Sequence, residues 1–337
     1  MKAQISQDAT TTLRRAMEPE ESAPARIPTS FSCFLDAQPA SLVPRYWLRK
    51  RQVKALDQHL IVSPRCHFSR DNSIRMPFLD NRSLGEEIAW VLDTATGSVL
   101  PFWLGSTFRD LLSHAQPGES EPPGLSPKIR SVLAAAQVLV ESDFDERRRR
   151  EHGRMVKRCA AQFRRSGYAP LQGLIHPFHL GALRTYYRQL VRDGDLHLGD
   201  AQTPGRYYAH NERIACFFHH QLAAVVGDIV GAPIKPSYVY VASYQPGARL
   251  LKHTDRPQCE YSISMCIDFT PEPRVRTRWP LCLETKGGTV KIFQGIGDAL
   301  LYSGTELLHY RTPLPKDCTS TSIFFHYVHR DFDGPLV

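Results

Sequence analysis

The sequence reads YQPGARLLKHTD over residues 244–255, EYSISMCIDF over residues 260–269 and GDALLYSGTELLH over residues 297–309. Alternating apolar and polar residues are typical of β-strands, and the Pro-Gly and Gly-Asp pairs predict tight turns between them. Side chains at positions i and i+2 of a strand share one face, so His253 and Asp255 point the same way. His309, at the far end of a later strand, completes a three-residue set. The stretch therefore predicts paired strands that carry one metal site.

The ligands of this predicted site are two imidazoles and one carboxylate. Such a set leaves three coordination positions open, the arrangement that non-haem Fe(II) oxygenases use to hold a co-substrate together with O2. A closed zinc site would take four ligands, usually including thiolates. The pattern favours a catalytic metal centre of His253, Asp255 and His309. A His-x-Asp pair alone is a weak signal, and a structural strand pair with two unrelated histidines is the alternative.

In its order of motifs the chain resembles the Fe(II)/2-oxoglutarate-dependent dioxygenases and, within them, the prolyl 4-hydroxylase-like group. That family shows a tyrosine, a glycine-containing turn, His-x-Asp, a Gly-Asp-Ala-Leu-like turn and a distal histidine followed by proline. The corresponding residues here are Tyr244, Gly247, His253, Asp255, residues 297–300, His309 and Pro313. The resemblance covers roughly residues 165–332.

The resemblance implies an α+β fold in which a double-stranded β-helix (jelly-roll) catalytic domain is buttressed by helices. It implies Fe(II) as the metal, 2-oxoglutarate and O2 as co-substrates, and ascorbate as an optional accessory. The implied reaction hydroxylates an unactivated C–H bond while 2-oxoglutarate is decarboxylated to succinate. An amino acid, a peptide or a small molecule is the expected substrate, and Tyr244 is expected to hydrogen-bond the co-substrate.

The residue that anchors 2-oxoglutarate departs from the family pattern. The resemblance implies a basic residue about ten positions after the distal histidine, but residues 316–322 read KDCTSTS, with no Arg or Lys at the expected position. Arg311 follows His309 by two positions and shares its face on a strand. Because arginine suits bidentate carboxylate recognition, Arg311 is the predicted anchor and Lys316 the second choice. A solvated charge at the rim is the alternative interpretation of Arg311.

Composition sets broader limits. The chain has 337 residues, 42% hydrophobic and 23% charged, which is typical of a globular protein with a sizeable core. A net charge of +8 suits an acidic or nucleic-acid partner without requiring one. No signal peptide or membrane span is predicted, and eight scattered cysteines without a C-x-x-C motif indicate reduced thiols in the cytoplasm. The oligomeric state is left open.

Four segments are predicted along the chain. They are a disordered tail over residues 1–40, a small, mainly helical or winged-helix-like domain over 41–140, a basic helical linker over 141–166 and the dioxygenase domain over 167–337. In the second segment, a capping box at residues 83–86 predicts a helix that carries Ile88 to Leu92. Further helices are predicted to start at Ser106 and at Ser126, which precedes Pro127.

Within the last segment, apolar residues at three- and four-residue spacing predict a helix after His176 and a second helix from Glu212 to Val230. Strands are predicted over residues 237–244, 261–269, 281–284, 289–293, 299–303 and 319–328. The basic loop at residues 270–280 is expected to contribute to the substrate site, since loops at the rim of a rigid scaffold commonly carry recognition.

The basic stretch from Arg147 to Arg165 has two interpretations. It is either a solvated helix face that links two domains or a phosphate-binding face. The second interpretation keeps a nucleic-acid-directed oxygenase open as an alternative function. A catalytically silent jelly-roll binding protein is another alternative, and the missing basic residue at the usual anchor position is the observation in its favour.

Overall fold

The computed structural model describes residues 30–36, 59–69 and 87–336. Its helices are α1 (Gly105–Leu112), α2 (Pro127–Ala135), α3 (Phe144–Ser166), α4 (Pro177–Asp193) and α5 (Arg213–Val230). The predicted starts of α2, α4 and α5 are confirmed. Ser126, His176 and Glu212 each cap one of these helices by accepting a hydrogen bond from a backbone amide of its first turn.

The described residues also form sixteen strands. They are β1 (Ile61–Val62), β2 (Cys66–Ser69), β3 (Ile88–Asp93), β4 (Ser98–Trp103), β5 (Leu139–Val140), β6 (Tyr168–Gln172), β7 (His197–Leu198), β8 (Arg206–His210), β9 (Ile234–Tyr244), β10 (Leu250–His253), β11 (Tyr261–Thr270), β12 (Leu281–Thr285), β13 (Gly288–Ile292), β14 (Asp298–Ser303), β15 (His309–Arg311) and β16 (Thr319–His329). All six strands predicted in the last segment are present. Strands β7 and β8 were not predicted.

Two antiparallel sheets face each other across the site. The larger has the order β6-β14-β11-β16-β9-β8-β7 and the smaller the order β10-β15-β12-β13. From β9 to β16 the chain passes back and forth between the two sheets. Arg311 on the smaller sheet reaches across to Ser264 on the larger one. The predicted α+β class, built on antiparallel sheets, is confirmed.

The larger sheet has two chemically different faces. Ile263, Met265 and Phe325 are fully buried on the face that packs against the helices. The neighbouring positions of the same strands point to the other face, since side chains alternate along a strand. There Ser262, Ser264 and Ser322 lie beside larger side chains, among them those of His326 and Phe324. Phe324 and His326 of this face line the cavity of the site.

The helix predicted to follow the capping box at residues 83–86 is wrong. Residues 83–86 lie outside the described residues, but Ile88 to Asp93 form β3, the central strand of the sheet β2-β3-β4. A short apolar run fits a buried helix turn and a strand buried on both faces equally well, so periodicity does not separate them. The Trp90 and Val91 side chains, which are both buried, favour the strand.

The described part of residues 41–140 contains five strands besides α1 and α2, so the expected mainly helical content is not confirmed. Residues 1–29 of the predicted tail lie outside the described residues. Residues 30–36 pack into the core: Phe31 and Leu35 are buried, and Phe34 pairs with Trp103. This corrects the predicted tail over that short stretch.

One hydrophobic cluster runs from the N-terminal strands into the helices behind the larger sheet. Phe31 stacks on His179, whose Nε2 lies 2.8 Å from the Pro101 carbonyl oxygen. The Val99 amide donates to Gln221 on α5 at 2.6 Å. These contacts hold the described N-terminal strands against the larger sheet's helices. The proposed domain boundaries remain predictions.

All eight cysteines are free thiols, as predicted. Among residues 30–36, 59–69 and 87–336, no helix is both long enough and apolar enough to cross a membrane. The cytoplasmic location remains a prediction.

Candidate active site

The strand register brings the three predicted metal ligands together. His253 ends β10 and His309 begins β15, and the two are directly paired across these antiparallel strands. The Oδ1 atom of Asp255 lies 3.6 Å from His253 Nε2 and 3.5 Å from His309 Nε2. All three ligating atoms lie within 4.8 Å of one another. Of the described residues, these form the one cluster of histidine, cysteine and carboxylate side chains that could hold a metal ion.

Backbone carbonyls fix the tautomer of both histidines. His253 Nδ1 lies 2.7 Å from the Leu251 oxygen, and His309 Nδ1 lies 2.9 Å from the Leu307 oxygen. A carbonyl only accepts hydrogen bonds, so each Nδ1 carries the proton that it donates. In the neutral imidazole the lone pair is then on Nε2, the atom that points toward Asp255. This carbonyl-oriented arrangement is typical of histidines that bind metals.

Asp255 is held from its other side. Its Oδ2 accepts a hydrogen bond from the Ser262 hydroxyl at 2.8 Å. Since that hydroxyl has a single proton, its oxygen accepts from His326 Nδ1, also at 2.8 Å. Burial lowers the pKa of His326 to about 4, so this imidazole is neutral. A buried chain of hydrogen bonds therefore orients Oδ1 toward the histidines.

The side chain of Asp255 carries the negative charge that a ligand of a metal cation needs. Burial alone would raise its pKa, but interactions with His253 and His309 outweigh burial and hold the pKa far below its ordinary value. The carboxylate is thus ionised next to the two imidazoles, whose Nε2 atoms would bind a metal cation in place of a proton. Two nitrogens and one oxygen without a thiolate suit a first-row divalent metal such as Fe(II) and leave open coordination positions. The residues present fit the predicted metal.

Gly304 is required by the close approach of the chain to Asp255. The Asp255 amide donates to the Gly304 carbonyl oxygen at 2.8 Å. A Cβ atom at position 304 would lie 2.3 Å from the Cys259 carbonyl oxygen and 2.5 Å from Asp255 Oδ2. Both separations are far shorter than van der Waals contact, and the first involves backbone that cannot swing aside.

We expect Gly304→Ala to displace Asp255. The affinity of the Gly304→Ala variant for Co(II), measured by isothermal titration calorimetry, is expected to fall about 10- to 100-fold. This is the usual effect of disturbing groups that orient metal ligands. Overpacking is expected to destabilise the protein by about 1–3 kcal/mol. The matched control is Gly153→Ala in α3, where nothing lies within 4 Å of the added methyl group. That change should leave Co(II) affinity as it is, and equal affinities of the two variants would contradict the expectation.

The cavity in front of the ligands has a volume of about 460 Å³. Both sheets contribute to it, with Tyr244 and Phe324 from the larger sheet and Leu250 from the smaller one. Much of its wall is aromatic. Tyr208 and Tyr240 stack with ring centroids 5.5 Å apart and nearly parallel planes. A ligand bound to the open metal positions would therefore lie against tyrosine rings.

Arg311 is 4% exposed and lies deeper between the sheets. Its guanidinium donates to the Trp279 carbonyl oxygen and to Gln294 Oε1, both at 3.1 Å, and lies 4.6 Å from the Trp279 ring centroid. No carboxylate of the described residues pairs with it, and its Nε has no partner there. Burial lowers the pKa of this guanidinium. The interpretation of Arg311 as a solvated rim charge is wrong, because the side chain is enclosed.

Tyr244 lines the cavity, and its hydroxyl accepts a hydrogen bond from Arg206 at 3.1 Å. The Tyr244 ring packs edge-on against Trp279 with centroids 5.0 Å apart. Since Arg311 lies over the same Trp279 ring, these aromatic side chains connect the cavity wall to the buried guanidinium. Neither Arg311 nor Lys316 lines the cavity itself, but Arg311 is buried whereas Lys316 is exposed. The structure therefore groups Tyr244 and Arg311 and leaves Lys316 apart.

Arg206 is a cavity residue that the sequence analysis missed. It is 5% exposed, and its Nε donates to Asp200 at 2.5 Å. The sequence pattern that could have indicated it is the strand at residues 206–210, in which Arg206, Tyr208 and His210 lie on one face. Residues 270–280, by contrast, do not contribute to the cavity lining, so the expectation for that loop is not met at this site.

No protein-family model and no curated protein matches the chain. Among solved structures, it matches a prolyl-4-hydroxylase from Pseudomonas putida with 14% identity over 52% of this chain and 100% of that one, at a TM-score of 0.44. HygX from Streptomyces hygroscopicus, solved with nickel and 2-oxoglutarate bound, matches with 14% identity over 52% and 88% of the respective chains, at a TM-score of 0.41. The non-heme alpha ketoglutarate dependent epimerase SnoN from nogalamycin biosynthesis matches with 14% identity over 52% and 82%, at 0.44. The likeness to each of these three structures extends over about half of this chain.

Proposed function

We propose that this chain is a non-haem Fe(II)- and 2-oxoglutarate-dependent oxygenase on a double-stranded jelly-roll scaffold. The proposed reaction hydroxylates an unactivated C–H bond of an amino acid, a peptide or a small molecule. The observation that carries the proposal is the convergence of His253 Nε2, His309 Nε2 and Asp255 Oδ1, each oriented by its own hydrogen bond, on one side of a cavity.

His253, Asp255 and His309 would hold the metal. Bound Fe(II) would supply the O2 activation by which 2-oxoglutarate is decarboxylated to succinate while the substrate is hydroxylated. The chain contributes ligand geometry, because the histidine tautomers and the carboxylate orientation are set before the metal arrives. Preorganised ligands of this kind spend little energy on rearrangement when the metal binds.

Arg311 is the proposed anchor for the distal carboxylate of 2-oxoglutarate. A buried cation surrounded by neutral acceptors is costly unless an anion joins it. The Nε of Arg311 and the Oγ of Ser322 are both buried without a partner among the described residues, and both belong to the space between the sheets. Arg206 has the weaker claim because Asp200 already neutralises it.

The cavity walls support a small substrate or a single inserted side chain. A volume of about 460 Å³ lies within the ~300–1,000 Å³ typical of small-molecule sites. Tyr208, Tyr238 and Tyr240, which belong to the larger sheet, line this cavity with their rings. These rings would orient a substrate and exclude water from the reacting bond.

An anaerobic titration tests the proposal. Wild-type protein is expected to take up one equivalent of Fe(II) and, when 2-oxoglutarate is added, to develop the weak visible charge-transfer band of the chelate. Admission of air should then yield succinate even without substrate, at a slow rate that a screen of amino acids and peptides can use as its baseline. Protein that leaves Fe(II) unbound, or that binds it without forming the band, would refute the assignment.

A further inference from the structure

Helix α3 presents a continuous cationic surface. From residue 150 to residue 165 its exposed positions recur every three or four residues, which places them on one side of the helix. Cations occupy six of these positions, and we call them the α3 basic face: Arg150, Arg154, Lys157, Arg158, Arg164 and Arg165. Ala161 and Glu151 are the other exposed residues in this span. Six positive charges therefore accompany one negative charge along about four turns.

The acidic partners of α3 are concentrated at its N-terminal end. Arg147 pairs with Glu141 and Asp143, and Arg148 pairs with Asp93. On the basic face, Arg150 pairs with Glu146 in an exposed contact. The five remaining members form no ion pair with a described residue. Their charge is thus available to an external anion.

The opposite side of α3 is already occupied. Cys159 and Ala160 are buried there, while Met155, Val156 and Phe163 pack against the core. This side contacts α5 and β6. An interfacial membrane helix needs a free apolar face to insert below the headgroups, and α3 has none. The partner of the basic face is therefore one that binds through charge alone.

We propose that the α3 basic face binds the phosphate backbone of duplex nucleic acid without reading its sequence. At about 1.5 Å per residue, the face extends over roughly 22 Å. A duplex carries about one negative charge per 1.7 Å of its axis, so several phosphates lie within that reach. Single strands are usually held by aromatic stacking, and none of the exposed positions from 150 to 165 is aromatic. The surface is separate from the proposed oxygenase site, and its binding does not depend on metal.

The number of cations sets the expected salt dependence. Each phosphate neutralised on a duplex contributes about −0.9 to the slope of log K against log salt concentration. Six contacts predict a slope of about −5 and a loss of affinity on the order of a thousandfold between 50 and 200 mM salt. The expected result is measurable binding at 50 mM that nearly vanishes at 200 mM.

Fluorescence anisotropy of the full chain with a fluorescein-labelled, mixed-sequence 20-base-pair DNA duplex tests the proposal, with metal and 2-oxoglutarate left out. The face variant combines Arg154→Gln, Lys157→Gln and Arg158→Gln, because glutamine keeps the helix propensity of the residues it replaces. The matched control combines Lys128→Gln, Lys286→Gln and Lys291→Gln, which removes three exposed charges elsewhere. Circular dichroism verifies that both fold.

The face variant is expected to reduce the magnitude of the salt slope by about three and to weaken binding at 50 mM at least tenfold, while the control stays near wild type. Absence of binding at 50 mM would overturn the proposal. Equal losses in both variants would also overturn it, since general positive charge would then explain the binding. A third measurement uses vesicles of anionic lipid. If the protein binds the vesicles but not the duplex, the α3 basic face binds a membrane surface and the proposal is wrong.

Discussion

Asp255→Ala is expected to eliminate stoichiometric Fe(II) binding and, with it, the charge-transfer band of the 2-oxoglutarate complex. The substitution removes a ligand and the negative charge that offsets the metal, whereas disturbing a group that only orients a ligand already costs about 10- to 100-fold in affinity. An affinity loss well beyond 100-fold is therefore expected. The fold should persist: the carboxylate lost interacts with Ser262, His253 and His309, whereas the backbone amide of residue 255 still donates to the Gly304 carbonyl oxygen.

The matched control for this variant is Asp200→Ala. Asp200 also lines the cavity, but it pairs with Arg206 rather than with the histidines. Anaerobic Fe(II) titrations of wild type and both variants, each followed by 2-oxoglutarate, separate a ligand from a nearby carboxylate. Asp200→Ala should keep one equivalent of Fe(II). Stoichiometric binding by Asp255→Ala would mean that the metal sits elsewhere.

The sequence predicted the metal cluster because its geometry is largely local. Two ligands are separated by a single residue at the end of a strand, and strand alternation alone places them on one side. The third ligand needed only one antiparallel pairing, that of β10 with β15, to reach them. The hydrogen bonds that orient the ligands were not predictable in the same way. Ser262 and His326, for example, are hydrogen-bonded although 64 positions separate them along the chain.

Two other features of the structure, the position of Arg206 and the strand β3, were not predicted from the sequence. Arg206 reaches the cavity because β8 pairs with β9, which sets Arg206 opposite Tyr244. Nothing within the five residues of β8 specifies that partner. The helix predicted over Ile88 to Leu92 failed because a run of apolar residues carries no period when both faces of the element are buried. Tertiary contacts decided both cases.

Arg311→Met is expected to separate co-substrate binding from metal binding. Fe(II) uptake should remain stoichiometric, because Arg311 is not a ligand. The 2-oxoglutarate concentration that half-saturates the band should rise. Removing one partner of a buried charge pair costs about 2–5 kcal/mol. At about 1.4 kcal/mol per tenfold change, this corresponds to an increase between roughly 30-fold and a few thousandfold.

Two further variants test whether Arg311, rather than Lys316 or Arg206, anchors 2-oxoglutarate. Lys316→Ala removes the exposed second candidate and is expected to leave the half-saturating concentration unchanged. Arg206→Met removes the other buried cation near the cavity, but Asp200 already neutralises that charge, so a smaller effect is expected. If Arg206→Met weakens the binding of 2-oxoglutarate more than Arg311→Met does, the residue that anchors 2-oxoglutarate lies on the larger sheet. Arg311 would then be a structural cation that costs stability, because the protein supplies neutral acceptors and no carboxylate to a guanidinium that is 4% exposed.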